Sequence, residues 1–586
     1  SLDGGSGTDT VEQTVDANQT LTDTTLSGQG SDTLTSIESA LLIGGGAANT
    51  LDATAFTGTA RLEGQGGADT LKGGSGDDTL VGGDGDDSLD GGSGTDTVEQ
   101  TVDANQALTN TTLTGRGSNS LASIEAAVLN GGAGNNVITA FLFSVAGATV
   151  QIDGGGGNDN IVGSNGNDTI YGSDGDDTIG GSSGDDEING GNGTDILMGH
   201  LGLIDTTTSA DTLRGGLGDD TLLGEKGADV AEGGDGTDTL LGGEGNDTLD
   251  GGSGNDLFQF SRSGSEDLGE DVIIEGTAAD NDSFDTISFK DFGASVVLSL
   301  AATVQQTVHA SLDLFLTNNG TVGDGTVVES IFADDFADTL TGNSRDNTID
   351  GGGGADSITA LAGNDFLAGG LGNDTLIGGD GDDTYQFERE AGTEDLGEDE
   401  IREESGASND TGDLLDFSLF NDAVDVDLSD SLQQTVLAGA LKLHLKNESE
   451  SGDGTVVEAV VGSDQNDSIS GNSRDNLLIG GGGNDDIEGA GGADSLVGGL
   501  GSDTMAGGLG NDVYVFSRTS TTEDLGDDVI TEATGASNDA RDILDFSMFL
   551  EAVQVDLGDA TTQTDVLNEL TQKLKNDGST GDDTHA

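Results

Sequence analysis

Between Gly64 and Glu99 an aspartate recurs at every ninth residue, at Asp69, Asp78, Asp87 and Asp96. Each follows a glycine-rich stretch, as in Gly73-Gly74-Ser75-Gly76-Asp77-Asp78, and each stands two places before an apolar residue. Glycines of this kind allow a tight turn at positive φ and bare the backbone carbonyls. Carboxylate and carbonyl oxygens at high density suit a hard cation, and flexible, high-coordination geometry favours Ca2+ over Mg2+. In one isolated unit, Asp and Gly need be no more than good turn residues. In five consecutive units, a bare turn has no reason to keep Asp at a single position.

The rest of the unit supplies what holds the turn. Written G-G-x-G-x-D-x-U-x, with U a large apolar residue, it fills 64–99, 154–198 and 215–259 and, with degenerate members, 333–386 and 462–515. Single copies stand at 4–12 and 131–139. In Gly73–Val81 the closing residues Thr79-Leu80-Val81 predict a short strand whose alternation sends only Leu80 inward. One plug per nine residues makes no core by itself, whereas stacked coils lay each plug on the next. Neighbouring strands would then lie about 4.7–4.9 Å apart, all parallel. Sixth-position carboxylates would repeat at roughly 5 Å, where like charges repel unless a cation lies between them.

Longer periods organise the chain. SLDGGSGTDTVEQTVDANQTLT at Ser1 returns almost unchanged at Ser88. EDLGED at Glu266 returns at Glu394 and, as EDLGDD, at Glu523, and GNSRDN at Gly342 returns at Gly471. The blocks between the arrays alternate apolar and polar residues, as in Val424-Asp425-Val426-Asp427-Leu428 and Leu441-Lys442-Leu443-His444-Leu445, which predicts strand. The expected organisation is two 87-residue repeats over 1–130, a nonapeptide array over 131–259, spacer coils with nonapeptides over 260–386, a second such copy over 387–515, and a third, truncated spacer copy over 516–586.

Composition narrows the classes. Of 586 residues, 103 are Gly, 111 are Asp or Glu and only 17 are Lys or Arg, for a net charge of -94, with no Pro and no Cys. A basic nucleic-acid surface and a basic membrane patch are excluded. So are a disulfide scaffold, a thiolate metal site and collagen. No apolar run is long enough to span a bilayer. Such charge normally reads as disorder, but disordered tracts are rich in Pro. Pro is excluded most strictly from strands paired on both sides.

The nonapeptides resemble the RTX repeat, the hemolysin-type calcium-binding motif of secreted bacterial proteins. The resemblance implies an all-β fold, a right-handed parallel β-roll or β-solenoid with two units per coil and Ca2+ between successive turns. Carried over position by position, the implied ligands are Asp69, Asp78, Asp87 and Asp96; Asp159, Asp168, Asp177, Asp186 and Asp195; Asp220, Asp229, Asp238, Asp247 and Asp256; Asp356, Asp365, Asp374 and Asp383; and Asp485, Asp494, Asp503 and Asp512. Turn carbonyls would complete each shell, for roughly 15–25 ions if neighbouring coils share them. Asn136, Asn347 and Asn476 depart from the sixth-position Asp, and Arg345 and Arg474 replace the fourth-position Gly. The guanidinium groups are expected to stand in for a missing Ca2+ between acidic turns. The alternating blocks resemble spacer modules of large RTX proteins and are read as solenoid coils with longer turns. Phe258, Tyr385 and Tyr514 take the plug position before each spacer, with Phe260, Phe387 and Phe516 two residues on, as aromatics that widen the core at a junction.

Catalytic chemistry is not expected. His200, His309, His444 and His585 form no H-E-x-x-H, and the G-x-S-x-G match at Gly180–Gly184 straddles a nonapeptide boundary. Without metal the chain should repel itself and stay expanded; with metal, binding energy becomes folding energy. Extracellular modules bind Ca2+ at about 10⁻⁴–10⁻³ M, so cytosol leaves such a chain unfolded and a millimolar exterior folds it. The resemblance implies type I export to the outside of the cell. The expected function is a calcium-binding structural protein of the bacterial cell surface, as a filament, layer or adhesin stalk, similar to the oscillin-like fibril proteins of gliding cyanobacteria. Its expected partners are calcium, further copies head to tail and cell-surface polysaccharide. The alternative is the export and folding region of a larger toxin or hydrolase. The chain opens and closes inside repeats, as a piece of something longer would.

Overall fold

A computed structural model describes residues 1–200, 208–262, 264, 266–275, 284–318, 328–389, 395–403, 412–430, 432–438, 440–447, 457–517, 526–532, 542–548, 562–564 and 571–576. Its regular elements are all strands, and no helix occurs among the described residues. The chain divides into two compact units. One is Ser1–Phe260 with Ser265–Asp285 and Ser311–Val322; the other is Ser261–Gly264, Thr286–Ala310 and Gly323–Ala586. His585 and residues 577–586 around it lie outside the described residues.

In the first unit, Thr79–Val81 pairs in parallel with Thr59–Glu63 on one side and Thr97–Thr101 on the other, so that Leu80 lies between Leu62 and Val98. The intervening strands belong to a second parallel ladder, in which Leu89 of Ser88–Asp90 faces Leu71 of Thr70–Lys72. Two nonapeptides therefore make one coil, and the plugs form two inward columns. Leu62, Leu71, Leu80, Leu89 and Val98 are all buried. The second unit repeats the plan. Ile349 lies between Ile331 and Leu367 in one ladder, and Leu340 between Leu298 and Ile358 in the other. The fold is an all-β parallel β-roll.

The spacers are further coils. Leu441–Asn447 pairs in parallel with Gly397–Glu403, with Ile401 against Leu445, and the alternation of the sequence buries Leu441, Leu443 and Leu445. The aromatic residues at the array ends are buried plugs, and Phe387 stacks on Phe417 with ring centres 4.8 Å apart.

The parallel pairing of the nonapeptide strands does not extend to every strand outside the nonapeptides. Gln19–Thr22, Thr25–Ser27 and Ser31–Thr35 form an antiparallel meander. Gln106–Thr109, Thr112–Thr114 and Ser118–Ala122 form the same meander in the next 87-residue copy, and Gln434–Leu437 folds back on Leu441–Asn447. The reversal at Asp23-Thr24 is set locally, because the Thr22 hydroxyl accepts from the N–H groups of both Thr24 and Thr25. Leu21, Leu26 and Leu34 still point into the core, so the reversal leaves the plug pattern intact.

Candidate calcium-binding turns

The turn from Gly172 to Asp177 shows how the site is built. A strand holds each end of it: Thr169–Asp174 enters the turn and Thr178–Gly180 leaves it. The N–H of Asp159 donates to Oδ1 of Asp177 at 2.7 Å, and the N–H of Asp177 donates to Oδ1 of Asp195 at 2.8 Å. One carboxylate oxygen thus fastens each coil to the one before it. The other oxygen of Asp177 is buried and has no hydrogen-bond partner. A Cβ built on Gly172 would lie 2.3 Å from that oxygen and 2.6 Å from the carbonyl oxygen of Gly190. Only glycine leaves this space open, and a carboxylate and a carbonyl oxygen both face it. Oxygen donors of these two kinds fit Ca2+.

Electrostatics point the same way. Burial pushes the Asp177 carboxyl up to about 7, and the charges of Asp195 and Asp159 add to the effect. Burial pushes Asp186 up to about 9, helped by Asp168 and Asp211. Asp220, Asp365, Asp485 and Asp494 rise to about 7 and Asp356 to about 8, again chiefly through burial. A buried carboxyl row without positive partners must take up protons or cations.

All twenty-two aspartates singled out by the spacing are at most 3 % exposed. The N–H to Oδ1 link joins them coil to coil, from Asp69–Asp87 and Asp78–Asp96 through Asp220–Asp238 and Asp229–Asp247 to Asp356–Asp374, Asp365–Asp383, Asp485–Asp503 and Asp494–Asp512. Asp78 and Asp168 differ from the rest. Both oxygens of Asp78 accept from backbone N–H groups, of Ala60 and Gly74. Those of Asp168 accept from Val150 and Ser164.

Further aspartates occupy the same row, among them Asp211, Asp338 and Asp467. Their units have lost glycines, but each keeps Asp two places before an apolar plug, and that signal suffices to find them. The fifth position, unassigned in the sequence reading, carries a second row of links that runs the opposite way. The N–H of Thr194 donates back to Oδ1 of Asp176 at 3.1 Å, as those of Thr237 and Asn484 do to Asp219 and Asn466. At one array end, Asp383, Glu403 and Asp413 bring three buried carboxylates within 4.8 Å of one another, and the Tyr385 hydroxyl bonds to Glu403.

The asparagine turns close on themselves. Oδ1 of Asn347 accepts from the Asn343 N–H at 2.8 Å, while its amide donates to the Glu329 carbonyl at 3.3 Å. Asn476 makes the same pair of bonds with Asn472 and Glu458, and Oδ1 of Asn136 accepts from the Gly132 N–H. Arg345 then pairs with the buried Glu329 at 2.9 Å, and Arg474 with the buried Glu458.

The family model of the RTX calcium-binding nonapeptide repeat matches residues 63–98, 126–141, 153–186, 179–202, 203–231, 232–259, 332–367, 359–388, 461–496 and 486–514. The chain carries RTX calcium-binding nonapeptide repeats. These RTX repeats bind Ca2+ at multiple sites, and they form a structural module rather than a catalytic one. Proteins that carry RTX repeats are typically secreted by bacteria through type I machinery. No curated protein matches the chain. Among the described residues, no helix is long and apolar enough to cross a membrane.

Proposed function

We propose that this chain is a secreted structural protein of the bacterial cell surface that folds when Ca2+ reaches it outside the cell, with the sixth-position aspartates as ligands. One observation carries this reading. The second oxygens of residues such as Asp177, Asp186, Asp220 and Asp356 are buried with no hydrogen-bond partner, coil after coil. A folded state that leaves so many carboxylates in this condition at neutral pH is stable only with cations among them. In the cytosol the chain stays open and fit for export; in millimolar calcium it closes. The surface role, as a filament, layer or stalk, rests on an architecture of repeats and spacers whose coils bury their plugs only against neighbours.

Electron microscopy of the purified chain tests the surface role. Ordered filaments or lattices are expected in millimolar Ca2+ and their loss in chelator. Dispersed single chains under both conditions would count against assembly and leave a folding module.

A further inference from the structure

The spacers open on EDLGED at Glu266 and Glu394 and on EDLGDD at Glu523, outside every stretch that the family model matches. Laid on the nonapeptide, Gly269, Asp271 and Ile273 take its fourth, sixth and eighth places, and Glu266 and Asp267 stand where the leading glycines would. The fold draws the same alignment. Gly269 has φ +82 and packs so tightly on the coil before it that a Cβ there would lie 2.0 Å from the Gly245 carbonyl oxygen. The N–H of Glu270 donates to Oδ1 of Asn246 at 3.0 Å, which is the fifth-position link. The N–H of Asp247 donates to Oδ1 of Asp271 at 2.8 Å, which is the sixth-position link. Ile273 lies against Leu249 and is buried as a plug.

The other two copies agree wherever they are described; Glu394 and Glu523 themselves lie outside the described residues. Gly397 and Gly526 have φ +88 and +67. Asp399 accepts from the Asp374 N–H at 2.9 Å, and Asp528 from the Asp503 N–H at 3.0 Å.

The link alone does not require a charge. Asn119 takes the same place after Asp87, accepting its N–H at 2.9 Å with a neutral amide. Asp271 instead keeps a carboxylate that is 2 % exposed, with Oδ2 lacking any hydrogen-bond partner, beside Asp247, whose Oδ2 also lacks one. An anionic oxygen held so deeply needs a cation. We propose that EDLGED is a calcium turn in disguise, in which Asp271, Asp399 and Asp528 are metal ligands that close the last sites of their arrays with Asp247, Asp374 and Asp503. Each array then extends one turn into its spacer.

This rests on the reading that sixth-position aspartates hold calcium, and the test separates the two. Native mass spectrometry would count bound Ca2+ on the full chain, on D271N/D399N/D528N and on a control, D177N/D365N/D494N, within the arrays. Asparagine keeps the acceptor for the preceding N–H, so circular dichroism in calcium should stay β-rich. The expected result is about three fewer ions in both variants, one per altered turn. A full count in the EDLGED variant beside a reduced count in the control overturns this inference alone. Full counts in both overturn the ligand reading as well. Should the triple variant not fold, D271N and D399N singly are read on the same count, with one ion fewer expected in each and an unchanged count decisive against.

Discussion

The backbone N–H of Asp177 donates to Oδ1 of Asp195, eighteen residues and one coil away, at 2.8 Å. One place earlier, the N–H of Thr194 donates in the opposite direction, to Oδ1 of Asp176 at 3.1 Å. Adjacent coils are therefore laced in both directions beside the strand ladder. At turns such as those of Asp177, Asp186, Asp220 and Asp356 the inner row also leaves one carboxylate oxygen for something other than a protein donor. Turn geometry and metal affinity thus share the same side chain.

Asp177→Asn separates these two roles. The amide keeps an acceptor for the Asp159 N–H but removes a buried charge. In saturating calcium the variant should be less stable than the parent by about 1–3 kcal/mol. Thermal melts in calcium check this. A melting temperature unchanged or raised would show that the charge at this position holds no cation.

Glycine at the first position is expected to be indispensable. Gly172→Ala puts a methyl group 2.3 Å from Oδ2 of Asp177 and 2.6 Å from the Gly190 carbonyl oxygen. Calcium binding at that turn should weaken and the loaded protein should lose about 1–3 kcal/mol. Gly46→Ala, where a Cβ meets nothing within 4 Å, should leave the melting temperature unchanged.

Acid should partly replace calcium. Burial raises the row from 3.8 to about 6 at Asp247, 7 at Asp177, 8 at Asp356 and 9 at Asp186, so the folded state binds more protons than the unfolded one. The metal-free fold is then most stable below the unfolded carboxyl range, and it loses stability as pH rises through about 6–9. In chelator, β circular dichroism should be stronger at pH 5 than at pH 8. Calcium affinity should move the other way, rising with pH as protons leave the ligands. Metal-free β signal that grows with pH would contradict the assignment.

Arg474→Glu tests whether a guanidinium group does the work of an ion in the turns that lack Asp. It would set a second acid against the buried Glu458. The calcium-loaded protein should lose about 1–2 kcal/mol, between the effect of an exposed pair and that of leaving a buried carboxylate alone. An unchanged melting temperature would end the idea.

Much of this was legible from spacing alone. Asp69 through Asp512 could be placed because nine residues carry the chain half a coil, from one turn to its equivalent on the other side, and Leu80 could be placed because a three-residue strand has one inward position. EDLGED was harder to read. With Glu266 and Asp267 in place of the glycines, its Gly269, Asp271 and Ile273 look like part of a spacer until a backbone shows them in register with Gly245, Asp247 and Leu249. The fifth-position links were hidden because Asp, Asn and Thr alternate there, and only the backbone N–H has to be met. The meanders of the two 87-residue copies are hard to read because Thr-rich strands alternate equally well in either direction, while each reversal depends on one hydroxyl, that of Thr22 in the first and Thr109 in the second.

The central claim is that the fold forms only when cations meet the aspartate row. Far-ultraviolet circular dichroism of the full chain at pH 7.5, in excess chelator and then with Ca2+ restored, tests it most directly. The β signal should vanish in chelator and return in full with calcium. A full β signal in excess chelator would contradict it.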